Sequence, residues 1–493
     1  MRIVVPRSTQ NLRWAVWLLA AVGCVRASSL AFYPLTDLTE WRYANIARVM
    51  LESGDWVTPQ TAPGAPFWAK PPLFAWASAV SMALTGINEL GARLPSLAFA
   101  VMTFIVVYLW ALGAATRSGV DRPRDAAVAA ALVASTCLGF FVASGAVMTD
   151  PSLVLATTWA LASFWMVTIG HSPRWYWRFG FFAALGLGML AKGPVAAVLV
   201  VVPIIAWCLV HRRWADLRRL RWLRGTALAV ALSAPWYVAA EIKTPGFLKY
   251  FILGENLQRF LVPGWKGDLY AFTHTSPHGI VWLYFAASTL PWILVAAPAV
   301  GIALLRRRVP RDASLSFLWL AALAPLAFFS FSSHVIWTYA LPSIPPFSVL
   351  LGIWLTASPA RHAVLRGVGV VASAALVVLA GSLVATSGSL ADNYSTREIF
   401  HAWEAARVAV PGRLIFEQQR VASSLLFYAS GAVLGETEEV DESATHYDVY
   451  TREQADHFAS QPPDCINARV IVNRVGDYVM VRETNLPQYC DVD

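Results

Sequence analysis

The sequence is poor in charge, and lysine is rare among its basic residues. Of the 493 residues, 14% are charged and 57% are hydrophobic. Soluble globular domains carry about 25% charged residues, so this composition excludes an ordinary soluble protein. Apart from the histidines, the basic side chains are arginines at all but five positions. These positions are Lys70, Lys192, Lys243, Lys249 and Lys266.

Cysteine and metal-binding patterns are also scarce. The sequence has five cysteines, no Cys-x-x-Cys and no His/Cys cluster with the spacing of a zinc site. Three of the cysteines lie in apolar segments. Cys465 and Cys490 lie in the polar C-terminal region, where an extracytoplasmic location would permit a disulfide between them. The sequence leaves open whether they pair.

Long apolar runs of about 18 to 25 residues recur along the chain and predict transmembrane helices. About eleven spans can be threaded through the sequence if residues 71–85 form an interfacial helix instead of a crossing. Every arginine cluster between spans then falls on the cytoplasmic side, as the positive-inside rule requires. The net charge of +8 is therefore a topology signal and not the basic face of a nucleic-acid-binding protein. The 22 tryptophans suit the aromatic belts of a membrane protein.

These patterns predict an all-α polytopic membrane domain over residues 1–387, with about 11 to 13 transmembrane helices and a cytoplasmic N-terminus. Its first outer loop covers residues 34–72. Residues 388–493 are more polar and form a small extracytoplasmic α/β domain, with the boundary near Ser387–Asp392. In that domain RLIFEQQ, AVLGE, YDVYT and ARVIVNR are predicted strands, and HAWEAARVAV and VASSLLFYAS are predicted helices.

The first outer loop contains the first cluster of charge in the chain. Its apolar residues recur at helical spacing over about residues 39–53, which predicts an amphipathic helix lying in the membrane interface. Asp37 and Glu40 precede this helix and have two interpretations. They form a capping box, with Asp37 at the N-cap and Glu40 three residues later. Alternatively, one of them is a general base at the membrane surface.

Other polar residues at predicted span ends also have two interpretations. Lys70 and Lys192 either mark the membrane interface or bind a phosphate group. Asp150 either caps a helix or is a functional group held near the membrane. Glu255 and Arg259 form a helical patch and either pair with each other or face a ligand. His274 and His278 are four residues apart, but the intervening proline argues against a helical metal site.

The polar motifs of the chain resemble, in order, those of the aminoarabinose transferase and protein O-mannosyltransferase families. The motifs are EWRYANIARVMLESGDW, FWAKPP, GARLPS, TDP, AKGP, ENLQRF, HxxP, LPW and TYALPSIPP. The resemblance runs from about Asp37 to Pro346. It implies a glycosyltransferase of the bacterial inner membrane that uses a polyprenyl-phosphate sugar, of the undecaprenyl type, as donor. The implied acceptor is a lipid or glycan of the envelope, attacked on the extracytoplasmic side with inversion.

The resemblance also implies roles for particular residues. Glu40 matches the family's acidic position and Asp37 lies nearby, so either is the candidate base, and Asp150 matches a second acidic position. The donor phosphate would be bound by Lys70, Lys192, Arg42 and Arg259. The candidate substrate-binding set also includes Tyr43, Glu255, His274, His334 and Tyr339.

Three departures from the family pattern bear on chemistry. Thr39 stands where the family usually has aspartate, Ala69 where it has glutamate, and Asn256 where it has histidine. If the last two groups bind a metal in relatives, this protein lacks that ion. We therefore predict no metal site and no certain cofactor, although the resemblance leaves a divalent metal open.

The sequence has three alternative interpretations besides an envelope-lipid glycosyltransferase. A protein O-mannosyltransferase-like enzyme would use the same donor chemistry on secreted proteins. A non-catalytic envelope-assembly protein would keep the fold without turnover, since a fold alone does not carry function. A transporter is disfavoured, because the charges collect at one membrane face and the sequence has no internal repeat. The expected partners are the donor, the acceptor and membrane lipids, with no nucleic acid.

Overall fold

The structure is a computed structural model that describes most of the chain. The described residues are 13–36, 39–172, 174–270, 275–305, 312–357, 361–416, 423–429, 433–435, 445–459, 467–475 and 478–485. Asp37, His274, Cys465 and Cys490 lie outside these ranges. Their predicted roles therefore stay predictions.

Helices make up nearly all of the first four-fifths of the described chain. In order they are α1 (Arg13–Ser29), α2 (Glu40–Ser53), α3 (Leu73–Thr85), α4 (Glu89–Arg117), α5 (Pro123–Thr136), α6 (Leu138–Ala143), α7 (Asp150–Thr168), α8 (Trp175–Lys192), α9 (Pro194–His211), α10 (Trp222–Lys243), α11 (Phe247–Lys249), α12 (Arg259–Leu261), α13 (Ile280–Ser288), α14 (Ile293–Leu305), α15 (Ala313–Phe329), α16 (Ile344–Thr356) and α17 (Arg361–Tyr394). Short 3-10 helices cover Trp214–Arg219 and Trp337–Ser343, and a π-helix covers Tyr250–Gln258.

Six helical stretches of the described chain are long and apolar enough to cross a membrane. They correspond to α4, α7, α9, α10, the stretch Trp337–Thr356 and most of α17. In α10 and α17 only 22% of the apolar window is buried within the protein. Apolar side chains that face outward from such helices are covered by lipid in a membrane protein. The predicted class, a multi-pass membrane protein, is confirmed.

Helix α7 is the centre of the bundle. Almost all of its residues are buried, and it packs closely against α4 and α8. Neighbouring helices approach through small side chains. A Cβ atom at Gly352 of α16 would lie 2.7 Å from the backbone oxygen of Ala126 in α5, so the close contact requires glycine there.

Two apolar stretches that the sequence predicts as single crossings are interrupted. The first is divided into α5 and α6 at Cys137, and the second into α13 and α14 around Leu290-Pro291. The two interruptions face each other, because the Leu138 backbone N–H donates to the Leu290 carbonyl (3.0 Å). The Trp292 indole also donates to the Thr136 hydroxyl (2.9 Å). Each break therefore satisfies polar groups of the other, as a membrane interior requires.

The first outer loop is structured, as predicted. The expected amphipathic helix is α2, which ends at Gly54 with a left-handed φ of 69°, a conformation that favours glycine. A short hairpin of β1 (Gln60–Ala62) and β2 (Ala65–Pro66) follows. The apolar face of α2 packs against α3 and Phe67 in a buried cluster.

The C-terminal region forms the predicted small α/β domain. Its strands are β3 (Arg413–Phe416), β4 (Val433–Gly435), β5 (His446–Thr451), β6 (Asn467–Val475) and β7 (Tyr478–Asn485), and its helices are α18 (Arg397–Ala409), α19 (Ser423–Tyr428) and α20 (Arg452–Ala459). The strand order is β4-β3-β5-β7-β6, with β3 parallel to both neighbours and β7 antiparallel to both of its own. The sequence prediction missed β7. It also placed a boundary at Ser387–Asp392, whereas α17 continues through these residues without a loop.

The C-terminal domain contacts the first outer loop directly. The Tyr428 hydroxyl accepts from the Leu35 backbone N–H (2.9 Å) and donates to Glu89 (3.1 Å). Arg397 also pairs with Glu89, at 3.2 Å. Both parts therefore lie on one face of the helix bundle. The division into domains 1–387 and 388–493 stays a prediction.

Candidate active site

A partly enclosed cavity of about 140 Å³ lies at the end of α7 and α8 nearest the first outer loop. It collects polar residues that are far apart in the sequence and that the sequence analysis singled out. The lining includes Lys70, Asp150, Lys192, Glu255, Arg259, His334 and Tyr339, together with Ala69 and Asn256. Much of the remaining lining is apolar and includes Leu153, Val195, Val198, Phe260, Phe328 and Phe329.

Glu255 holds two of the cavity's cations through one oxygen. Its Oε1 lies 2.5 Å from Lys70 Nζ and 2.7 Å from Arg259 Nη1. Its other oxygen, Oε2, is buried and has no hydrogen-bond partner among the described residues. Glu255 lies in the π-helix Tyr250–Gln258, a form that often marks functional sites. The predicted pairing of Arg259 with Glu255 is present, and it is part of the cavity.

Arg259 extends this network further into the cavity. Its Nη2 lies 3.0 Å from His334 Nε2, and its Nη1 lies 3.6 Å from Asp268. Its Nε is buried and has no hydrogen-bond partner among the described residues. The guanidinium therefore has one N–H group, at Nε, with no acceptor among the described residues.

Asp150 and Lys192 form the second ion pair of the cavity. Lys192 Nζ lies 2.6 Å from Asp150 Oδ1 and 5.0 Å from the centre of the Tyr339 ring. Asp150 is the first residue of α7 and Lys192 the last of α8, which are the favourable helix ends for an anion and a cation. Thr149, not Asp150, is at the N-cap of α7, and no side chain caps this helix. The capping interpretation of Asp150 is therefore wrong.

The backbone that presents Lys192 depends on a glycine. Gly193 has a left-handed φ of 80°, which L side chains rarely adopt. A Cβ atom there would lie 2.5 Å from Phe251 Cζ, which is too close for van der Waals contact. The AKGP motif thus joins α8 to α9 while holding Lys192 at the cavity.

Tyr43 and Arg42 do not line this cavity. The Tyr43 ring packs edge-on against Phe67 and Phe74. Burial raises the pKa of its hydroxyl, and the charges of Arg42, Lys192, Asp150 and Glu255 also act on it. Tyr43 is therefore a neighbour of the cavity network. Arg42 lies over the Trp41 ring, with 5.7 Å from its guanidinium carbon to the ring centre.

Glu40, predicted as a general base, forms a buried structural ion pair. Both of its carboxylate oxygens accept hydrogen bonds from Arg93, at 2.9 Å and 2.8 Å. The backbone N–H groups of Val147 (3.0 Å) and Thr36 (3.3 Å) donate to it as well. Burial alone would raise the pKa of this carboxyl, but the Arg93 charge and these hydrogen bonds hold the pKa below its ordinary value.

This geometry bears on both interpretations of Glu40. A carboxylate whose oxygens are both occupied by a fixed guanidinium, and which does not line the cavity, is poorly placed to take a proton from an acceptor. The capping box is also wrong in position, because α2 begins at Glu40 with Thr39 at the N-cap. Arg93 lies in the GARLPS motif, but its role was not predicted, since no local pattern in the sequence pairs it with a residue 53 positions earlier.

The cavity residues do not form a ligand set for a divalent cation. Among the described residues, no group of three or more His, Cys, Asp or Glu side chains is placed to hold a metal ion. The Asp150 carboxylate already contacts an ammonium group. Asn256 donates its side-chain amide to the Phe251 carbonyl (2.7 Å), and Ala69 offers no side-chain ligand. We assign no step of the reaction to a metal. His278, the described member of the predicted histidine pair, is exposed and lies 3.2 Å from the Ser330 carbonyl.

Comparison with known sequences identifies relatives over most of the chain. A family model described as dolichyl-phosphate-mannose-protein mannosyltransferase matches residues 35–251. Undecaprenyl phosphate-alpha-4-amino-4-deoxy-L-arabinose arabinosyl transferase 1 of Pseudomonas fluorescens is 31% identical over 87% of this chain and 73% of its own length. The corresponding transferase of Aeromonas hydrophila is 28% identical over 64% of this chain, and the match spans 55% of that relative.

Solved structures show the same fold. ArnT from Cupriavidus metallidurans bound to undecaprenyl phosphate matches 98% of this chain and 100% of its own, with a TM-score of 0.76 and 21% identity. The oligosaccharyltransferase of Archaeoglobus fulgidus in its apo form matches 90% of this chain and 71% of its own, with a TM-score of 0.55 and 12% identity.

The fold is that of a polytopic membrane protein, and the similarity to the Pseudomonas fluorescens transferase makes it a glycosyltransferase. The chain belongs to the family of undecaprenyl phosphate-aminoarabinose arabinosyl transferases. The family predicted from the ordered polar motifs is therefore confirmed.

Proposed function

We propose that this enzyme transfers a sugar of the aminoarabinose, pentose or hexose type from undecaprenyl phosphate to a lipid or glycan of the bacterial envelope. The reaction takes place at the extracytoplasmic face of the inner membrane, with the N-terminus in the cytoplasm. The observation that carries this proposal is the convergence of Lys70 and Arg259 on one oxygen of Glu255 inside a cavity with an apolar wall. Such a cavity suits an anionic headgroup attached to a prenyl chain.

The cavity charges support binding of the donor phosphate. Three cations, Lys70, Lys192 and Arg259, share two lining carboxylates, Asp150 and Glu255. A phosphate oxygen can take the place of Glu255 Oε1 at Lys70 and Arg259 without leaving either cation unpaired. Charge-assisted bonds from arginine and lysine are the usual means of holding phosphate groups.

The same cations stabilise the leaving group. The acceptor oxygen forms a bond to the anomeric carbon as the bond from that carbon to the phosphate oxygen breaks, and the electron pair of the broken bond stays on the phosphate. The added negative charge develops where Lys70 and Arg259 are already positioned, so little reorganisation is needed. The acceptor proton goes to a carboxylate. The proposed bases are Asp150, which lines the cavity, and Asp37, the aspartate that the sequence places in the first outer loop.

The proposal is tested by turnover of purified enzyme in lipid vesicles. A panel of undecaprenyl-phosphate sugars is supplied with an envelope lipid extract, and released undecaprenyl phosphate is measured by mass spectrometry. We expect turnover by the parent and a loss of about 100-fold or more in Lys70→Gln and Arg259→Gln. Lys249→Gln is the matched control, since Lys249 is an exposed lysine outside the cavity.

Three results would contradict the proposal. Equal turnover by Lys70→Gln and Lys249→Gln would show that the cavity is not the donor site. Tight binding of undecaprenyl-phosphate sugars without any release of carrier would favour the non-catalytic alternative. Transfer to a secreted protein but not to lipid would favour the protein-acceptor alternative.

A further inference from the structure

A second cavity, of about 300 Å³, lies at the opposite end of the bundle from the candidate active site. Helix α7 begins at Asp150 in the first cavity and has Val167 at the second, and α8 runs from Arg178 at the second cavity to Lys192 at the first. At the α-helical rise, these segments span roughly 21 to 26 Å. A bilayer has a hydrocarbon core of about 30 Å, so the second cavity lies near the other membrane surface.

The second cavity is lined mainly by cations. Four arginines and His171 surround it: Arg178, Arg218, Arg219 and Arg221. The arginines come from the first turn of α8, the 3-10 helix Trp214–Arg219 and the residue before α10, and His171 lies between α7 and α8. Elements distant in sequence therefore direct positive charge into one space.

These charges are largely uncompensated. Asp216 is the carboxylate nearby, and it pairs with Arg213 (2.6 Å) and Arg219 (3.1 Å). The other three lining arginines make no ion pair or side-chain hydrogen bond with any residue that the structure describes, and the Arg178 Nε is buried without a partner there. Segments 306–311 and 358–360, which lie outside the described residues, contain no aspartate or glutamate.

The positive potential of the cavity also acts on His171. Its Nδ1 lies 2.6 Å from Arg219 Nη1, so the ring accepts a hydrogen bond from the guanidinium. Burial lowers the pKa of this histidine, and the charges of Arg219, Arg117 and Arg213 lower it further. Burial and the surrounding cations thus both disfavour the charged form of the imidazole.

Membrane topology alone does not explain this arrangement. The positive-inside rule requires arginines on one side of the membrane but requires no particular geometry among them. Guanidinium groups gathered around one cavity repel each other, so binding of an anion among them is favourable.

The surroundings place the cavity at lipid headgroup level. Trp214 and Trp222 flank the arginines and are 47% and 46% exposed, and Leu223 is 88% exposed. Tryptophan is typical of membrane–water interfaces, and apolar residues exposed beside it face the lipid. Basic pockets between transmembrane helices bind the headgroups of anionic lipids.

We propose that this second cavity binds a phosphate-bearing anion, with the headgroup of an anionic phospholipid as the favoured source. Arginine suits this ligand because its planar fork donates two parallel hydrogen bonds to phosphate oxygens. The site is separate from the donor site and is not used in the transfer reaction. Bound lipid would neutralise the arginines and link α8 to the 3-10 helix Trp214–Arg219 and the start of α10.

The test compares two arginine pairs of equal charge. Arg218→Gln/Arg221→Gln removes exposed arginines of the cavity, and Arg124→Gln/Arg366→Gln removes exposed arginines away from it. Delipidated protein in detergent is titrated with phosphatidylglycerol, phosphatidylcholine or inorganic phosphate, and bound ligand is counted by native mass spectrometry. We expect the parent and the control pair to retain phosphatidylglycerol, and the cavity pair to bind it about tenfold more weakly or worse.

The possible outcomes distinguish a lipid from a soluble source of the phosphate group, and both from results that contradict the proposal. Phosphatidylglycerol binding that depends on the cavity pair, with no binding of inorganic phosphate, assigns the site to lipid. Inorganic phosphate binding with the same dependence assigns it to a soluble phosphate compound. Equal binding by the two pairs, equal binding of phosphatidylcholine, or no bound anion at all would overturn the proposal. Thermal unfolding of both pairs checks that the variants are folded.

Discussion

Glu40 and Arg93 form a buried ion pair with two parallel hydrogen bonds, at 2.9 Å and 2.8 Å. The same guanidinium donates to the backbone carbonyls of Leu30, Tyr33 and Pro34. Its carbon also lies 3.9 Å from the centre of the Tyr33 ring. One side chain on α4 therefore fixes the chain after α1 and the start of α2. Arg93 therefore positions the beginning of the first outer loop, and it does so independently of any catalytic role of the loop.

Replacing Arg93 should destabilise the enzyme strongly. Arg93→Met leaves the Glu40 carboxylate and three carbonyls buried without their donor, and we expect a cost of about 3 to 5 kcal/mol. The double variant Arg93→Met/Glu40→Leu removes both charges and should lose less. Thermal unfolding in detergent measures both. A double variant that is less stable than Arg93→Met would show that the pair is not the reason for the loss.

Glu40→Gln distinguishes a structural from a catalytic role. The amide keeps the size of the side chain but cannot accept two bonds from Arg93 as an anion, so we expect lower thermal stability and turnover that is largely retained at low temperature. Initial rates and unfolding are measured on the same preparation. A loss of turnover by about 1,000-fold with unchanged stability would restore Glu40 as the catalytic base.

The ion pair also predicts the response to acid. Because the folded state holds the pKa of Glu40 below its ordinary value of 4.5, this group stabilises the fold fully above that pH. Its contribution is lost as the pH falls through the lower folded-state pKa. Unfolding temperatures measured from about pH 6 to about pH 3 should fall more steeply for the parent than for Arg93→Met/Glu40→Leu. Parallel curves would contradict the assignment.

Glu255→Gln should strengthen binding of the carrier phosphate. The change removes the anion that Lys70 and Arg259 share, which leaves Asp150 at Lys192 and the more distant Asp268 at Arg259 as the carboxylates near the three cations. We expect undecaprenyl phosphate to bind about tenfold more tightly and turnover to fall because product release slows. Binding isotherms and kcat are compared with those of Glu241→Gln, a carboxylate on α10 that does not line the cavity. Weaker binding in Glu255→Gln would show that Glu255 positions the two cations for phosphate.

Gly193→Ala should reduce turnover through the backbone of Lys192. The methyl group would lie 2.5 Å from Phe251 Cζ, and alanine disfavours the φ of 80°. We expect a strain of roughly 1 to 2 kcal/mol and a displaced ammonium group. Phe251→Leu in the same protein relieves the contact but not the φ, so it should restore turnover in part. Gly246→Ala is the matched control, since its φ is also positive but nothing lies within 4 Å of the added atom.

Local and topological patterns in the sequence were enough to predict much of the architecture. The amphipathic helix α2 follows from apolar residues at a period of 3.6 and a glycine that ends it. The gathering of Lys70, Asp150, Lys192, Glu255 and Arg259 followed from the sorting of arginine loops and lysine loops to opposite membrane faces. That sorting is a property of composition along the chain, so it needs no knowledge of side-chain contacts.

Long-range contacts decided the rest. The apolar runs around Cys137 and Leu290 resemble single spans, and only their mutual hydrogen bonds in the fold allow both helices to break. Glu40 has the chemistry of a base, yet both of its oxygens accept hydrogen bonds from Arg93, which lies far along the chain. The arginines of the second cavity looked like topology markers until packing brought three elements together. Periodicity and composition act between neighbours in sequence, whereas the charge state and role of a buried group depend on which distant residue the fold places against it.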